Sequence, residues 1–174
     1  MAHTFEELLR LYDYDVPEGA IAQEPASPRD SAKLLIYNRK TDAVAFDTFL
    51  HLDRYLPKNA VLVFNETKVL PARLTLTKPT SGSVQILYIA TEGENIRVMA
   101  NRRLNQKDIL TLNRKIHFTV QMQTEKYSLL RPSFPLKNLF AVLERYGTMP
   151  IPPYIKHSPL SERALKEKYQ TIFA

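Results

Sequence analysis

At residues 61–74 the chain reads VLVFNETKVLPARL, and this segment separates two patterns of secondary structure. Its first four residues are a run of β-type apolar side chains, which predicts a buried strand. The polar residues that follow would lie at the carboxyl end of that strand, where open α/β sheets place their ligands. Amide, hydroxyl and cationic groups this close together are typical of a site for a polar, partly anionic substrate. The candidate ligands are Asn65, Thr67, Lys68 and Arg73, with Glu66 beside them.

Upstream of this segment the pattern predicts short elements of mixed type. Residues 4–7 have the Thr-x-x-Glu spacing of a capping box, which indicates the start of a short helix. Residues 33–37 and 43–46 are predicted to be the two strands of a hairpin. Apolar residues within 49–56 are spaced for another short helix, which a following proline would end.

Downstream of the segment, short strands follow one another without intervening helices. This pattern favours a small antiparallel barrel or a sandwich. An apolar stripe at residues 136–143 has helical spacing and predicts a helix that ends at Gly147. Residues 161–168 predict a final short helix. The six predicted strands are 69–77, 84–90, 96–100, 109–112, 115–121 and 126–131.

A second unusual segment is MPIPPYI at residues 149–155, which has three prolines in four residues. Proline fixes φ and removes a backbone donor, so an ordinary helix or central strand is excluded here. We expect a rigid strut that presents Tyr154.

Composition narrows the class of protein. The chain has no cysteine, no start resembling a signal peptide and no apolar run of about 20 residues, so we expect a cytoplasmic protein without a membrane partner. Only four glycines are present, and neither a dinucleotide-binding loop nor a phosphate-binding loop can be written with them. The four histidines show no metal-ligand spacing, so we expect no metal.

The positive charge is concentrated in one part of the chain. Residues 72–134 contain ten basic and four acidic side chains, whereas the rest of the chain contains fourteen of each. The whole net charge of +6 therefore belongs to the middle third. A basic domain beside a neutral one suggests contact with a polyanion, because phosphate contacts supply most nonspecific affinity. A solvated surface on which charges happen to cluster is the alternative.

Five segments match, in order, the motifs of one enzyme family. They are YDYDVP at 12–17, RDSAKLL at 29–35, NETKVLPARL at 65–74, MPIPPYI at 149–155 and YQTIFA at 169–174. They resemble Phe-Asp-Tyr-x-Leu-Pro, Arg-Asp-x-x-Arg-Leu-Leu, Asn-Asp-Thr-Arg-Val-x-Pro-Ala-Arg-Leu, Pro-Leu-Pro-Pro-Tyr-Ile and Tyr-Gln-Thr-Val-Tyr-Ala. The chain thus resembles the S-adenosylmethionine:tRNA ribosyltransferase-isomerases of queuosine synthesis, from residue 12 to its last residue.

The resemblance implies an α/β domain interrupted by a small six-stranded antiparallel β-barrel. Residues 1–70 would begin the α/β domain, 71–134 would form the basic barrel, and 135–174 would return to the α/β domain. Family chains are roughly twice as long and continue into an Ala-Pro-Thr-Ala-Gly-Leu-His-Phe motif that is not found here. We therefore expect an amino-terminal fragment, a truncated product or one piece of a split protein, and we expect it to be inactive by itself.

The resemblance also implies a reaction and its residues. The family transfers the ribosyl part of S-adenosyl-L-methionine to a 7-aminomethyl-7-deazaguanine at the tRNA wobble position, which gives epoxyqueuosine. S-adenosylmethionine would be the ribosyl donor, tRNA the partner and a monomer the functional form. The expected catalytic carboxylates are Asp30 and Glu66. The expected substrate-binding residues are Arg29, Asn65, Thr67, Lys68, Arg73, Tyr154, Tyr169, Gln170 and Thr171, and the expected RNA-binding residues are Arg97, Arg102, Arg103, Lys107, Arg114 and Lys115.

A second interpretation is a noncatalytic RNA-binding module built on the basic barrel. Small barrels bind nucleic acid through basic grooves and stacking aromatic side chains. Tyr88, Phe118 and Tyr127 are the aromatic candidates, although aromatic residues at strand spacing are more often part of a core.

Overall fold

The chain, described by a computed structural model, divides into two compact units. The hairpin unit comprises residues 1–51 and 152–159, and the barrel unit comprises residues 52–151 and 160–174. The residues that the structure describes are 4–17, 19–152, 154–155 and 158–170.

The hairpin unit contains the elements predicted for the start of the chain. Helix α1 (Phe5–Leu11) begins with the expected capping box: the Glu7 N–H donates to Thr4 Oγ1 at 3.3 Å, and the Thr4 N–H donates to Glu7 Oε2 at 2.8 Å. Strands β1 (Lys33–Asn38) and β2 (Ala43–Thr48) pair antiparallel as a two-stranded sheet. None of the described residues of this unit is buried.

Six strands of the barrel unit close into an antiparallel barrel in the order β3-β4-β5-β8-β7-β6. All six predicted strands are therefore confirmed as elements, and the choice between sandwich and barrel is decided by the pairing of β3 with β6. A 3₁₀-helical segment, Phe49–Tyr55, which is kinked at the non-helical His51, precedes Pro57 as expected. The strands are β3 (Arg73–Thr77), β4 (Ser83–Glu92), β5 (Asn95–Ala100), β6 (Ile109–Asn113), β7 (Ile116–Gln123) and β8 (Ser128–Pro132).

The core of the barrel unit is made by alternate strand residues that point inward. On β7, for example, Phe118 and Val120 are buried while His117 is exposed. Phe118 packs edge-on against Phe134, with ring centroids 5.7 Å apart. The fully buried side chains are Leu74, Leu76, Val84, Ile86, Ile96, Val98, Leu104, Leu110, Phe118, Val120, Leu130, Leu139 and Leu143.

Helix α2 (Leu139–Tyr146) is joined to the barrel at its carboxyl end. It ends at Gly147, as predicted, but φ is −81° there and imposes no need for glycine. Glycine is required here for a steric reason, because a Cβ at Gly147 would lie 1.8 Å from the Pro71 carbonyl oxygen. The next residue, Thr148, pairs with Arg73 through two backbone hydrogen bonds of 3.2 and 2.9 Å. The predicted last helix is also present as α3 (Glu162–Lys168), with Ser161 as its N-cap.

The prediction of a buried strand at residues 61–64 is wrong. These residues pair with no strand in the described chain, and Val61 and Val63 are 86% and 88% exposed. An apolar run favours burial, but a strand also needs a neighbour for its backbone groups. Strand β3 likewise begins at Arg73 rather than at residue 69. Pro71 has no N–H, and the Ala72 N–H bonds locally to the Leu70 carbonyl at 2.7 Å, so neither residue donates to the ladder. The Ala72 carbonyl still accepts from the Tyr88 N–H of β4 at 2.9 Å.

The architecture is thus mixed α/β with a closed six-stranded barrel, as expected at that level. Among the described residues, no helix has both the length and the apolar character needed to cross a membrane.

Candidate functional site

The polar segment, residues 65–73, leads directly into the barrel. Asn65 and Thr67 form a local turn in which the Thr67 N–H donates to Asn65 Oδ1 at 3.1 Å and the Thr67 hydroxyl donates to the same oxygen. Such an Asx-turn holds the backbone without any help from other elements. Glu66 and Lys68 on either side of Thr67 are exposed. The turn thereby presents three polar side chains, Glu66, Thr67 and Lys68, to solvent.

Arg73, the last residue of the polar segment, connects it to the chain after α2. Its backbone pairs with Thr148, and its guanidinium Nη2 donates to the Ile151 carbonyl oxygen at 3.3 Å. Arg73 is half-buried, and no carboxylate among the described residues forms an ion pair with it. A guanidinium has five donors in a fixed fork, so a single hydrogen bond leaves most of them available.

Gln170 ties the end of α3 to the polar segment across 101 residues of sequence. Its side-chain carbonyl accepts from the Val69 N–H at 2.7 Å, and its side-chain amide donates to the Val69 carbonyl at 3.3 Å. The same amide donates to the Lys166 carbonyl at 2.7 Å. A primary amide presents a donor and an acceptor side by side, so it can satisfy both backbone groups of one residue. Gln170 therefore holds Val69 as a neighbouring strand would.

A cavity of about 440 Å³ lies between the polar segment and the two helices of the barrel unit. This volume is within the range of small-molecule sites, roughly 300–1,000 Å³. Three basic and three acidic side chains line it, so its charge is balanced. Lys166 is anchored to Glu144 through the carbonyl at 2.9 Å and the carboxylate at 3.0 Å. The lining residues are Lys68, Val69, Pro71, Glu144, Glu162, Arg163, Lys166, Glu167 and Gln170.

The charged face of α3 is the part of this cavity that the sequence analysis did not identify. Arg163, Lys166 and Glu167 recur at positions i, i+3 and i+4, so they share one face of α3, and Gln170 follows two residues after the helix ends. This spacing of charged residues, directly before the predicted ligand Gln170, was the sequence signal that could have identified this face as part of the site. Only the packing of α3 beside residues 68–71 shows that this face lines a cavity.

The predicted site residues fall into both units. Asn65, Thr67, Lys68, Arg73 and Gln170 lie in the barrel unit, where Lys68 and Gln170 line one cavity. Tyr169 is half-buried at the end of α3, and Thr171 lies outside the described residues. Arg29, Asp30 and Tyr154 belong to the hairpin unit, where Asp30 is exposed in the 3₁₀-helix Arg29–Ser31 and Tyr154 is 56% exposed. The two predicted catalytic carboxylates, Asp30 and Glu66, thus belong to different units.

The predicted RNA-binding residues differ in their environment. Arg97 on β5 donates from Nε to Glu92 Oε2 at 3.0 Å, and its guanidinium lies 4.7 Å from the ring centroid of Tyr127. The hydrogen bond to Glu92 raises the pKa of Arg97 further above its ordinary value. The other five are exposed in connections: Arg102, Arg103 and Lys107 between β5 and β6, and Arg114 and Lys115 between β6 and β7.

Comparison with known proteins identifies relatives over nearly the whole chain. The family model described as queuosine biosynthesis protein matches residues 9–174. The curated S-adenosylmethionine:tRNA ribosyltransferase-isomerase of Aquifex aeolicus is 36% identical over 94% of this chain and 48% of its own length. Those of Hydrogenobaculum sp. and Sulfurimonas denitrificans are 35% and 31% identical, over 95% and 97% of this chain and 49% and 51% of theirs.

One similar solved structure is an S-adenosylmethionine tRNA ribosyltransferase from Thermotoga maritima. It is 25% identical, with a TM-score of 0.37, over 90% of this chain and 54% of that one. The chain spans about half the length of the curated relatives that it matches.

Proposed function

The chain belongs to the queuosine biosynthesis protein family, and we propose that it forms part of an S-adenosylmethionine-dependent tRNA ribosyltransferase-isomerase. The observation that carries this proposal is the collinear match over residues 9–174, supported by relatives that bear that enzyme name. The structure adds support because two of the matching segments, residues 65–74 and 169–174, are linked through the Gln170–Val69 hydrogen bonds beside one cavity.

The proposed reaction moves the ribosyl part of S-adenosylmethionine onto the aminomethyl group of 7-aminomethyl-7-deazaguanine at the tRNA wobble position. The product is epoxyqueuosine, and adenine and methionine leave. A sulfonium acidifies the adjacent C5′ hydrogen, so a carboxylate base is needed close to it. We propose Asp30 or Glu66 for this role.

The balanced charge of the cavity suits the methionine end of such a donor. The carboxylate and the ammonium of the methionine part are one anion and one cation attached to the same carbon atom. Lys68, Arg163 and Lys166 supply donors for the carboxylate, and the glutamates supply acceptors for the ammonium. Asn65, Thr67 and Arg73 would contact the sugar and the tRNA acceptor, with Tyr169 and Thr171 as further substrate-binding residues of the barrel unit. Arg29 and Tyr154 are proposed as substrate-binding residues from the matched motifs alone.

The partner and setting that follow from this function are also proposals. We propose tRNA as the macromolecular substrate, a monomer as the functional form and the cytoplasm as the location. We further propose that the barrel, residues 71–134, interrupts an α/β domain to which residues 1–70 and 135–174 contribute. Because relatives are about twice as long, we expect turnover to need the part of them that this chain does not span.

The direct test is release of adenine from S-adenosylmethionine in the presence of tRNA carrying the aminomethyl base. We expect no turnover from the 174 residues alone, and turnover when they are joined to the second half of the Aquifex aeolicus relative. Turnover by the chain alone at the rate of a full-length relative would contradict the dependence on that half. If every joined protein folds and binds tRNA but releases no adenine, the enzymatic proposal is contradicted.

A substitution at Arg73 distinguishes, in the same assay, whether this residue binds substrate or only supports the fold. Lysine keeps the charge but loses the bidentate fork. If Arg73 clamps a substrate anion, Arg73→Lys in the joined protein should lower activity about tenfold, equivalent to about 1.4 kcal/mol. Its melting temperature should stay within about one or two degrees. A large melting loss with unchanged specific activity of the folded fraction would instead assign Arg73 to the scaffold.

A noncatalytic RNA-binding module is the second candidate, and the excess of six positive charges in residues 72–134 favours it. Phe118 cannot be one of its stacking residues, because it is fully buried in the core. Tyr88 and Tyr127 are half-buried, and Tyr127 already stacks on Arg97. tRNA binding without adenine release, even in the joined protein, would select this function.

A further inference from the structure

The connections between the barrel strands separate into two sets at opposite ends. Each strand runs antiparallel to its neighbours, so successive connections alternate between the ends. The loop end is formed by residues 78–82, 101–108 and 124–127, and the turn end by the short turns 93–94 and 114–115. The polar segment enters β3 at the turn end. The closure of the barrel therefore places basic residues that are dispersed in the sequence at one end or the other.

The two ends carry different charge. The loop end has five basic and two acidic side chains, a net charge of +3, whereas the two turns carry two basic and one acidic side chain. Near the turn end Arg97 bonds to Glu92, and Arg131 bonds to Glu94, which is the one acid of the two turns. With these residues included, the turn end has a net charge of +2. At the loop end, Asp108 is engaged inside its own loop, where it accepts from the Asn105 N–H at 3.2 Å. The basic residues of the loop end are Lys78, Arg102, Arg103, Lys107 and Lys126.

The longest loop of this end, residues 101–108, is held in place at both ends and at Leu104 in its middle. At its start, Asn101 Oδ1 accepts from the Gln85 N–H at 2.9 Å. At its end, the Lys107 N–H donates to the Val120 carbonyl at 2.8 Å. Between these points Leu104 is buried in the core. The loop is therefore preorganised, which lowers the entropy lost when it binds a ligand.

Arg102 and Arg103 lie at a cavity of about 650 Å³ in this end, between the 101–108 loop and the end of β7. Both side chains are exposed, and neither forms an ion pair within the described chain. Lys78 crosses from the neighbouring turn and donates to the Arg103 carbonyl at 3.2 Å, which adds a third cation beside them. Glu125 also lines the cavity and is its one acidic residue. Arginine forks match phosphate geometry.

We propose that the loop end of the barrel binds the sugar-phosphate backbone of RNA, with Arg102 and Arg103 as the principal phosphate contacts. The inference rests on the proposed function only for its choice of tRNA as the RNA. The last four residues of β3 separate this end from the polar segment, roughly 13 Å at about 3.3 Å per residue. The loop end therefore holds the RNA backbone away from the reacting base, and Arg97, Arg114 and Lys115 are not among its contacts.

Paired substitutions of equal charge test this assignment in the 174-residue chain. Arg102→Ala with Arg103→Ala removes two charges at the loop end, and Arg114→Ala with Lys115→Ala removes two at the turn end. Binding of unmodified tRNA is measured by fluorescence anisotropy over a series of salt concentrations. We expect the loop-end pair to weaken binding about tenfold or more and to reduce the salt slope by up to about two contacts. The turn-end pair should change affinity by no more than about twofold.

Three outcomes would overturn the inference: no tRNA binding by the unchanged chain at low salt, equal losses from the two pairs, or no loss from the loop-end pair. The variant Arg102→Lys with Arg103→Lys keeps the charge and should keep the salt slope, which separates charge from altered folding. The assay contains no S-adenosylmethionine and no modified base. Salt-dependent binding through the loop end, combined with no adenine release from the folded joined protein, would therefore refute the proposed reaction and leave this inference intact.

Discussion

The barrel unit and the hairpin unit resemble each other in apolar content but differ in burial. In the barrel unit, thirteen apolar side chains form one buried cluster. In the hairpin unit, apolar side chains such as Phe5, Tyr14 and Phe46 are between 75% and 78% exposed. Both units contain antiparallel strands of favourable sequence. Closure is what differs, because a barrel pairs every strand on both sides and encloses its own interior, whereas a two-stranded sheet encloses nothing.

This difference shows that burial depends on topology as well as on hydrophobicity. Residues 61–64 make the same point within the barrel unit, since their β-type apolar side chains remain exposed where no described strand pairs with them. Substitutions in the two units should therefore differ in cost even when the residues exchanged are identical.

The largest effect is expected from a pair of phenylalanines. Phe118→Ala empties a fully buried position on β7 and should lower the free energy of unfolding by about 3–5 kcal/mol. Phe46→Ala on β2 removes a side chain that is 77% exposed and should cost less than about 0.5 kcal/mol. Urea unfolding of both variants is the measurement. Equal costs would show that the hairpin unit buries Phe46 in solution and would remove the contrast.

The next effect concerns the junction between α2 and β3. Gly147→Ala places a Cβ against the Pro71 carbonyl and should cost about 3 kcal/mol, because neither backbone can withdraw without breaking the Arg73–Thr148 pair. Gly82→Ala is the matched control, since the nearest atom to its new Cβ would be Thr80 Oγ1 at 3.8 Å. The measurement is the unfolding midpoint of each variant, compared with that of the unchanged chain. A stable Gly147→Ala chain would mean that the helix end is not packed on residue 71.

A smaller effect is expected where Gln170 holds the polar segment. Gln170→Ala leaves the half-buried Val69 N–H and carbonyl without their partners and should cost about 1–2 kcal/mol. Hydrogen exchange at the Val69 amide should become faster. Gln106→Ala is the control, because it removes one exposed hydrogen bond to the Gln121 carbonyl. Unchanged exchange at Val69 would exclude the proposed tether.

The smallest effect is a pH dependence within the hairpin. Tyr37 donates a hydrogen bond to the Asp42 carboxylate, which raises the pKa of the phenol above its ordinary value of 10.0. The folded pKa is the higher one, so the contribution to stability is full below pH 10 and is lost as pH rises through the folded pKa. Absorbance titration of the chain minus that of Tyr37→Phe isolates this group.

Asp42→Asn provides the control for that titration. Asn tolerates the positive φ of 59° at this turn position and removes the negative charge. The Tyr37 midpoint should then move down towards 10.0. An identical midpoint in both chains would show that Asp42 does not hold the phenol.

Features with local physical causes could be predicted well. The capping box at Thr4, the hairpin, the six barrel strands and the end of α2 at Gly147 were all readable from alternation or capping residues. Each depends on groups only a few positions apart. The closing pair of β3 with β6 was not accessible in this way, because it joins Thr77 to Thr111 across many intervening residues.

The candidate site shows the same division. The polar types within residues 65–73 were conspicuous by composition, and Gln170 was recognised from its motif. Their connection was not, since the bond between Gln170 and Val69 is a property of how α3 packs. The contribution of Arg163, Lys166 and Glu167 to the cavity was missed for that reason.

The sequence by itself determined the family, through five ordered motifs, and the excess of charge in the middle of the chain, because both are properties of residue order and type. Only the tertiary structure decided which cations stand together. Closure of the barrel places Arg102 and Arg103 at one end and Arg114 and Lys115 at the other, and it leaves Arg97 bonded to Glu92. Electrostatic interaction depends on distance in space, and strand pairing, rather than separation along the chain, sets that distance.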